Sequence, residues 1–440
     1  MRRRVAVVGA GAAGLSAAYR LREECEVTLF EAADRLGGHA CTVEVEDEGR
    51  ILGLDTAFVV FNRAHYPRLG SFFDSLGVPV GDHPGRFCFF DLDQAWNYTS
   101  EDFDLDIDSV RAKYSPEFVT LHQEAARFHT EAPRHFIRRQ ADMPLGEYLD
   151  ANGYSDEFRY GFVVLIAAAT WSVPPDLIWE MPASTVIAFF FAHGHEGLGG
   201  RAVPWNTVAG GSITYVRAAA QAITAAGGII RTSTPVRGIR QDEAGVQLTS
   251  DAGIERFDQV VLATHADVAL SMMENPTPAQ QRLEVFHYSP TSVVLHTDRS
   301  CMPVDVDSWR SWNYGRISTD GSIRAWAVYY LNRLQAFDSK TDYFVSIEYP
   351  NEIEPQSVIA EFEFTHPIVS MPVRRIQHEL HGICRDPASP VVFAGSYVHS
   401  TTLGPDLVGS HEAACDSGFE AAEAILARPF TPPTHPKGSS

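Results

Sequence analysis

The sequence predicts an α/β chain: an open, mostly parallel sheet carrying a β-meander, with a second, α+β domain interleaved between its segments. Three observations predict it. A strand–glycine loop–helix–strand pattern runs from Val5 to Glu31. Buried-strand patterns return near residues 258–264 and 391–395. The stretches between them are rich in aromatics and lack that pattern.

The 440 residues are enough for about two to three domains. With 45% hydrophobic and 21% charged residues the composition is that of a globular chain, not of a disordered or fibrous one. Acidic residues outnumber basic ones 56 to 35, for a net charge of −21. That balance, with no basic stripe, argues against a nucleic-acid partner and against docking on anionic lipid. The richest apolar run, Phe162–Ala169, is too short to span a bilayer, so no membrane span is expected. Arg2-Arg3-Arg4 leads into a short strand with glycines rather than a signal-peptide core. Cys25, Cys41, Cys88, Cys301, Cys384 and Cys415 contain no Cys-x-x-Cys pair, which predicts reduced thiols in a cytoplasmic protein.

Val5-Ala6-Val7-Val8 reads as a buried strand, Gly9-Ala10-Gly11-Ala12-Ala13-Gly14 as the loop, and Leu15–Glu24 as the helix. Val27–Phe30 is the second strand and ends at Glu31. Each part has a task in a Rossmann-like dinucleotide site. Gly9 permits the tight turn, Gly11 lets backbone approach a pyrophosphate, and Gly14 lets helix and strand pack closely. The helix start offers N–H groups and partial positive charge to phosphate, and Glu31 can accept from ribose hydroxyls. Gly37-Gly38 follows so soon after the acid that the segment resembles FAD enzymes, where such a pair lets backbone pass the pyrophosphate and ribityl chain.

Residues 71–200 carry two helical patterns, Asp108–Ala126 and Leu145–Ala168. Ser212 is placed to cap a helix running to Ala226, which Gly227-Gly228 stops. Ile229–Thr232, Val236–Arg240, Val246–Thr249 and Ile254–Phe257 then read as short strands, a meander that crosses back into the first sheet at Asp258–Thr264. Val391–Gly395 is one more buried strand and Asp416–Ala427 a last helix. The expected division is 1–70, 201–269 and 386–427 for the FAD-binding domain, 71–200 and 270–385 for the substrate domain, and 428–440 for a flexible tail.

From about residue 4 to 427 these pieces resemble the flavin-containing amine oxidase superfamily. Within it the chain is similar to a bacterial amine-oxidase-like NAD/FAD-binding subgroup. The matching segments are Leu54–Phe58 with Phe61-Asn62, Ala169–Ser172, Trp205–Ser212, Ala263–Asp267, Ser311–Tyr314 and Leu331–Gln335. The resemblance implies non-covalent FAD. Gly38, His39 and Ala40 would line its pyrophosphate and ribityl side, and Ala57, Phe58 and Val59 its ring. Val236 would hold adenine through its backbone, Thr264 would be a cofactor contact with His265 behind it, and Gly395 would end a strand beside the ribityl chain. His411-Glu412-Ala413-Ala414-Cys415-Asp416-Ser417-Gly418 looks like the final flavin motif, so His411, Glu412 and Ala414 are carried over as cofactor residues, with N–H groups at a helix start that favour the anionic reduced flavin.

The chain also departs from the pattern. Ala57 stands for the subgroup's usual glycine, Ser396 for an acid, and Ser400–Ser410 looks like an insertion near the ring. Only Lys113, Lys340 and Lys437 occur, and none is placed to hold a water at the flavin as many amine oxidases do. That argues for a desaturase-like or redox-neutral reaction over direct amine oxidation with efficient oxygen use. A second glycine fingerprint is missing, so no nicotinamide site is expected.

His193 and His195, two residues apart with no third ligand in view, predict no metal site. The expected substrate lining, over the ring at the domain junction, is Phe58, Asn62, Trp171, Trp312, Asn313, Tyr314 and Tyr397, with few polar groups and no strong base. The expected function is an FAD-dependent oxidoreductase that removes a hydride from a C–N or C–C unit of a small, mostly apolar molecule, with secondary metabolism as its setting. A redox-neutral FAD isomerase or cyclase and a non-catalytic flavoprotein are the alternatives. Catalytic residues and oligomeric state stay open.

Overall fold

The structure is a computed structural model that describes residues 2–83, 85–92, 96–171, 175–193, 204–243, 245–319, 322–399, 404, 406 and 408–430. Its central sheet has five strands in the order Ile229–Arg231, Cys25–Phe30, Arg3–Val8, Gln259–Leu262 and Val391–Phe393, all paired in parallel. Parallel strands are covered on both faces, so each reads as a continuous apolar run. Side-chain alternation divides those runs between two cores. Val5, Val7, Leu29, Val261 and Val392 pack with residues of the helices Ala12–Leu21, Ile213–Ala225, His411–Leu426 and Pro67–Leu76. Ala6, Val8, Phe30, Val260 and Phe393 face the other way, onto the antiparallel meander Val236–Asp242, Gly245–Ser250, Gly253–Phe257 and the helix Met371–Cys384.

Segments far apart in the chain build one seven-stranded sheet beside it. Its order is Val358–Pro367, Tyr288–His296, Phe344–Ile347, Ser322–Tyr330, Trp312–Thr319, Phe87–Asp91 and Trp96–Thr99. Phe87–Asp91 joins by pairing in parallel with Trp312–Thr319. Helices that include Pro116–Ile137, Val164–Trp171 and Ala183–His193 cover this sheet around a core of Phe89, Phe128, Phe162, Ile187 and Tyr314. Among the described residues no helix is long and apolar enough to cross a membrane.

Four sequence expectations change. The first long helical pattern breaks into Ile107–Lys113 and Pro116–Ile137, because Tyr114 and Ser115 are extended ahead of Pro116. The second breaks after Leu145–Ala151, where Gly153 takes φ 62°, and later passes through a π-helical turn at Arg159–Val163. The last helix starts earlier than expected, at His411, capped by Ser410. The tail is tied down at its start, where Arg428 donates to the carbonyls of Asp386 and Ser389 and Arg3 donates to Arg428 O; residues 431–440 lie outside the described residues.

Candidate functional site

The three glycines of the first loop are needed for different reasons. A Cβ on Gly9 would lie 2.5 Å from Ala263 O, and φ there is 97°. A Cβ on Gly14 would lie 1.7 Å from Gly9 O, so the helix could not sit against its own loop. A Cβ on Gly11 would meet nothing of the protein closer than 3.9 Å, and its φ is an ordinary −74°. Two of the glycines therefore serve the fold, while the third keeps space open on the cavity side. The helix Ala12–Leu21 starts at Gly11 without a side-chain cap, which leaves its first N–H groups for a ligand.

That space is one end of a cavity of about 350 Å³. Gly9, Ala10, Gly11, Ala13, Glu31, Gly38, His39, Ala40, Phe58, Val236, Thr264, Gly395, His411 and Ala414 all line it. Glu31 accepts from Ala10 N (2.7 Å) and Ala33 N (2.9 Å), one backbone donor on each oxygen. The far wall is fixed by the last helix: Ser417 Oγ accepts from Gly395 N (2.9 Å) and donates back to Gly395 O (3.1 Å). The cavity runs from an acid at a strand end, past an open helix N-terminus, to a second helix start. These residues fit FAD, which would supply redox chemistry when bound.

A second cavity of about 210 Å³ meets the first. Phe58, His366, Gly409 and His411 line both. Its remaining wall includes Ala57, Val59, Trp171, Phe189, Trp205, Trp312, Tyr314, Tyr329 and Phe364, and among its described lining residues there is no Asp, Glu, Lys or Arg. Phe58 stands at the seam in the left-handed region, φ 53°, with its ring 5.0 Å from His411 and 6.0 Å from His39. A bulky residue there carries about 1–3 kcal/mol of backbone strain.

Four imidazoles gather at this seam. His39 Nε2–H donates to Thr365 O (3.0 Å), and its ring lies 5.4 Å from both His265 and His366. His265 Nδ1 pairs with Thr365 Oγ1 (3.2 Å) and stacks on Tyr288 at 4.2 Å. His366 Nδ1 pairs with Thr291 Oγ1 (3.2 Å), and His411 Nε2 with the Tyr215 hydroxyl (2.9 Å). Burial, with mutual repulsion in the His39–His265–His366 group, holds His39 down to about 3 and His366 to about 4; burial alone holds His411 to about 4. All are neutral at physiological pH, so the site offers hydrogen bonds rather than charge.

The structure redistributes several expected site residues. Trp171, Trp312 and Tyr314 line the second cavity, but Asn313 does not. It sits between Trp312 and Tyr314 on one strand, and alternation turns it to the opposite face. There it is wholly buried, accepting from Arg310 N and donating to the carbonyls of Arg310 and Val328. Asn62 is likewise off both cavities, with Oδ1 accepting from His65 N (2.8 Å) in a turn. Tyr397 lines the first cavity instead of the second, packed over Gly395 and 5.2 Å from Phe286. Ala57 and Val59 line only the second. Glu412 lines neither: fully buried, it accepts from Arg68 N (3.0 Å) and Leu69 N (2.8 Å) at the start of the helix Pro67–Leu76, and burial lifts its carboxyl to about 7. Ser212 is not a cap either; its N and Oγ bond to Asp55, and Thr42 Oγ1 accepts from Ile213 N. Lys113 pairs with Asp102 and Lys340 with Glu48, both away from the cavities. The side chain of His193 and all of His195 lie outside the described residues.

His366, Thr365, Phe364 and Tyr329 are the site residues that sequence reasoning missed. The signal that could have found three of them is the alternation of Ala360, Phe362 and Phe364 with Glu361, Glu363 and Thr365 in the strand Val358–Pro367, which ends in His366-Pro367.

The sequence profile of the family described as flavin containing amine oxidoreductase matches residues 12–342. An FAD-dependent oxidoreductase, dbaF, of Emericella nidulans is 40% identical over 83 residues, which is 19% of this chain and 17% of the relative's length. A putrescine oxidase bound to putrescine superposes with a TM-score of 0.69 over 97% of this chain and 100% of its own, at 17% identity. A fatty acid isomerase from P. acnes does so with 0.66 over 96% and 98%, at 13% identity. Both solved structures share the fold.

Proposed function

Because the chain belongs to the flavin-containing amine oxidoreductase family, we propose that it is an FAD-dependent oxidoreductase that removes a hydride from a C–N or C–C unit of a small, mostly apolar, uncharged molecule. The observation that carries the reading is the aromatic cavity, which shares Phe58, His366, Gly409 and His411 with the cofactor cavity and has no charged side chain among its described lining residues. A diamine would enter it without a carboxylate partner, and desolvating an unpaired ammonium is costly. No described lysine reaches either cavity, which also separates this site from one built to hold a water beside the ring. Anaerobic mixing of the holoprotein with small neutral amines, amides and polyketide- or lipid-like molecules should bleach the flavin with some of them. Bleaching by putrescine and by none of the apolar compounds overturns the reading.

A redox-neutral reaction is the second reading, supported by the shared fold of the fatty acid isomerase and by the missing lysine. Product formation with the flavin left oxidised at the end of each turnover, and with no outside acceptor, would favour it.

A further inference from the structure

Among the described residues, the aromatic cavity and the cofactor cavity share the seam formed by Phe58, His366, Gly409 and His411. Of these, the two imidazoles alone can hydrogen-bond through a side chain. Each has one ring nitrogen engaged, His411 Nε2 by the wholly buried Tyr215, and burial separates them: His411 is only 5% exposed. His366 is half-buried and lies one residue from the end of its strand, where Pro367 follows. Its Nδ1 is held at 3.2 Å by Thr291, which is 1% exposed on the antiparallel neighbour Tyr288–His296. With Nδ1 so held, Nε2 is the ring nitrogen left to meet a ligand.

We propose that His366, oriented by Thr291, is the polar anchor of the substrate: its Nε2 hydrogen-bonds the single heteroatom of an otherwise apolar molecule where the two cavities meet. This rests on the assignment of the aromatic cavity to the substrate. The ligand class that follows is an apolar or aromatic body with one hydroxyl, neutral amine or carbonyl group at the end nearer the flavin. Thr291 is a positioning residue, acting through His366. The cavity walls supply the apolar contact, and the seam supplies direction.

The test compares two probes of similar shape, benzyl alcohol and toluene, by the perturbation each causes in the flavin spectrum of the holoprotein. The wild type should prefer benzyl alcohol by about tenfold, the upper range of one net hydrogen bond. His366→Phe should retain toluene and reduce the preference to about twofold or less, and His366→Gln, which keeps a hydrogen-bonding group, should restore part of it. Thr291→Val should lower the preference by about threefold while FAD affinity, measured separately on the apoprotein, stays at the wild-type value. Toluene binding with an unchanged preference in His366→Phe, or no preference in the wild type, overturns the anchor and leaves the cavity assignment intact. Failure of both probes to perturb the flavin overturns the cavity assignment and the anchor with it.

Discussion

Gly11→Ala should separate the cofactor from the fold more cleanly than any other single change. Within the protein itself the new methyl meets no atom closer than 3.9 Å, and φ of −74° suits alanine. Alanine is a poorer helix N-cap than glycine by about 0.5–1 kcal/mol. Its stiffer unfolded chain returns about 0.4–1 kcal/mol. Apoprotein stability should therefore stay within about 0.5 kcal/mol of wild type. With FAD bound, the methyl occupies the space through which backbone approaches the pyrophosphate. Overpacking of that kind costs about 1–3 kcal/mol, or roughly 5- to 150-fold in Kd. Gly14→Ala should behave in the opposite way, because its methyl would sit 1.7 Å from Gly9 O and the helix must move: the apoprotein itself should lose about 3 kcal/mol. The assay is denaturant unfolding of flavin-stripped protein, paired with fluorescence titration of FAD. Apoprotein destabilised as much by Gly11→Ala as by Gly14→Ala, or native FAD affinity in Gly11→Ala, would refute the division of labour among the glycines.

Three further outcomes are expected. Glu412 is raised from 4.5 to about 7, so its contribution to stability is fully present below pH 4.5 and is lost as pH rises through 7, on the order of 3 kcal/mol; Glu412→Gln should flatten that part of the stability–pH curve, and an unchanged slope counts against the buried-carboxylate account. Glu31→Ala should weaken FAD binding by about 1.5–3 kcal/mol, the worth of charge-assisted hydrogen bonds, measured by titration of the apoprotein; unaltered affinity sinks the ribose assignment. Acid precipitation should release all flavin to the supernatant, as expected of non-covalent FAD, and colour in the pellet contradicts it.

The cofactor cavity was largely legible because its signals are local. Strand, loop, helix and acid all lie between Val5 and Glu31, and each glycine reports a steric demand made by its neighbours. The seam was not legible. His366 meets Thr291 across 75 residues through the register of two long strands, and nothing in either segment encodes the partner. Asn62 and Asn313 illustrate the converse error. A polar residue inside an aromatic segment reads as a ligand contact, yet both amides bond to a nearby turn or to backbone. Glu412 shows a motif residue whose position is right for the helix start and whose side chain serves a different helix.

The contact between the first helix and the last has a consequence for biosynthesis. Ser16 Oγ donates to Cys415 O across 399 residues, and a Cβ on Gly418 would lie 2.1 Å from Ala13 O, so the two helices are seated directly on each other. A ribosome adding about 5–20 residues per second needs roughly 20–80 s between one partner and the other. Throughout that interval the face of the first helix that seats the last has no partner, and the strand Arg3–Val8 lacks its neighbour Gln259–Leu262 for more than half of it. The glycine loop is thus made long before the helix that closes the far wall of its cavity. A chain interrupted before residue 411 would lack the wall made by His411, Ala414 and the Ser417 clamp on Gly395. Such a chain would also leave uncovered the residues of the first helix that pack with Cys415, Ala421 and Ala422 of the last.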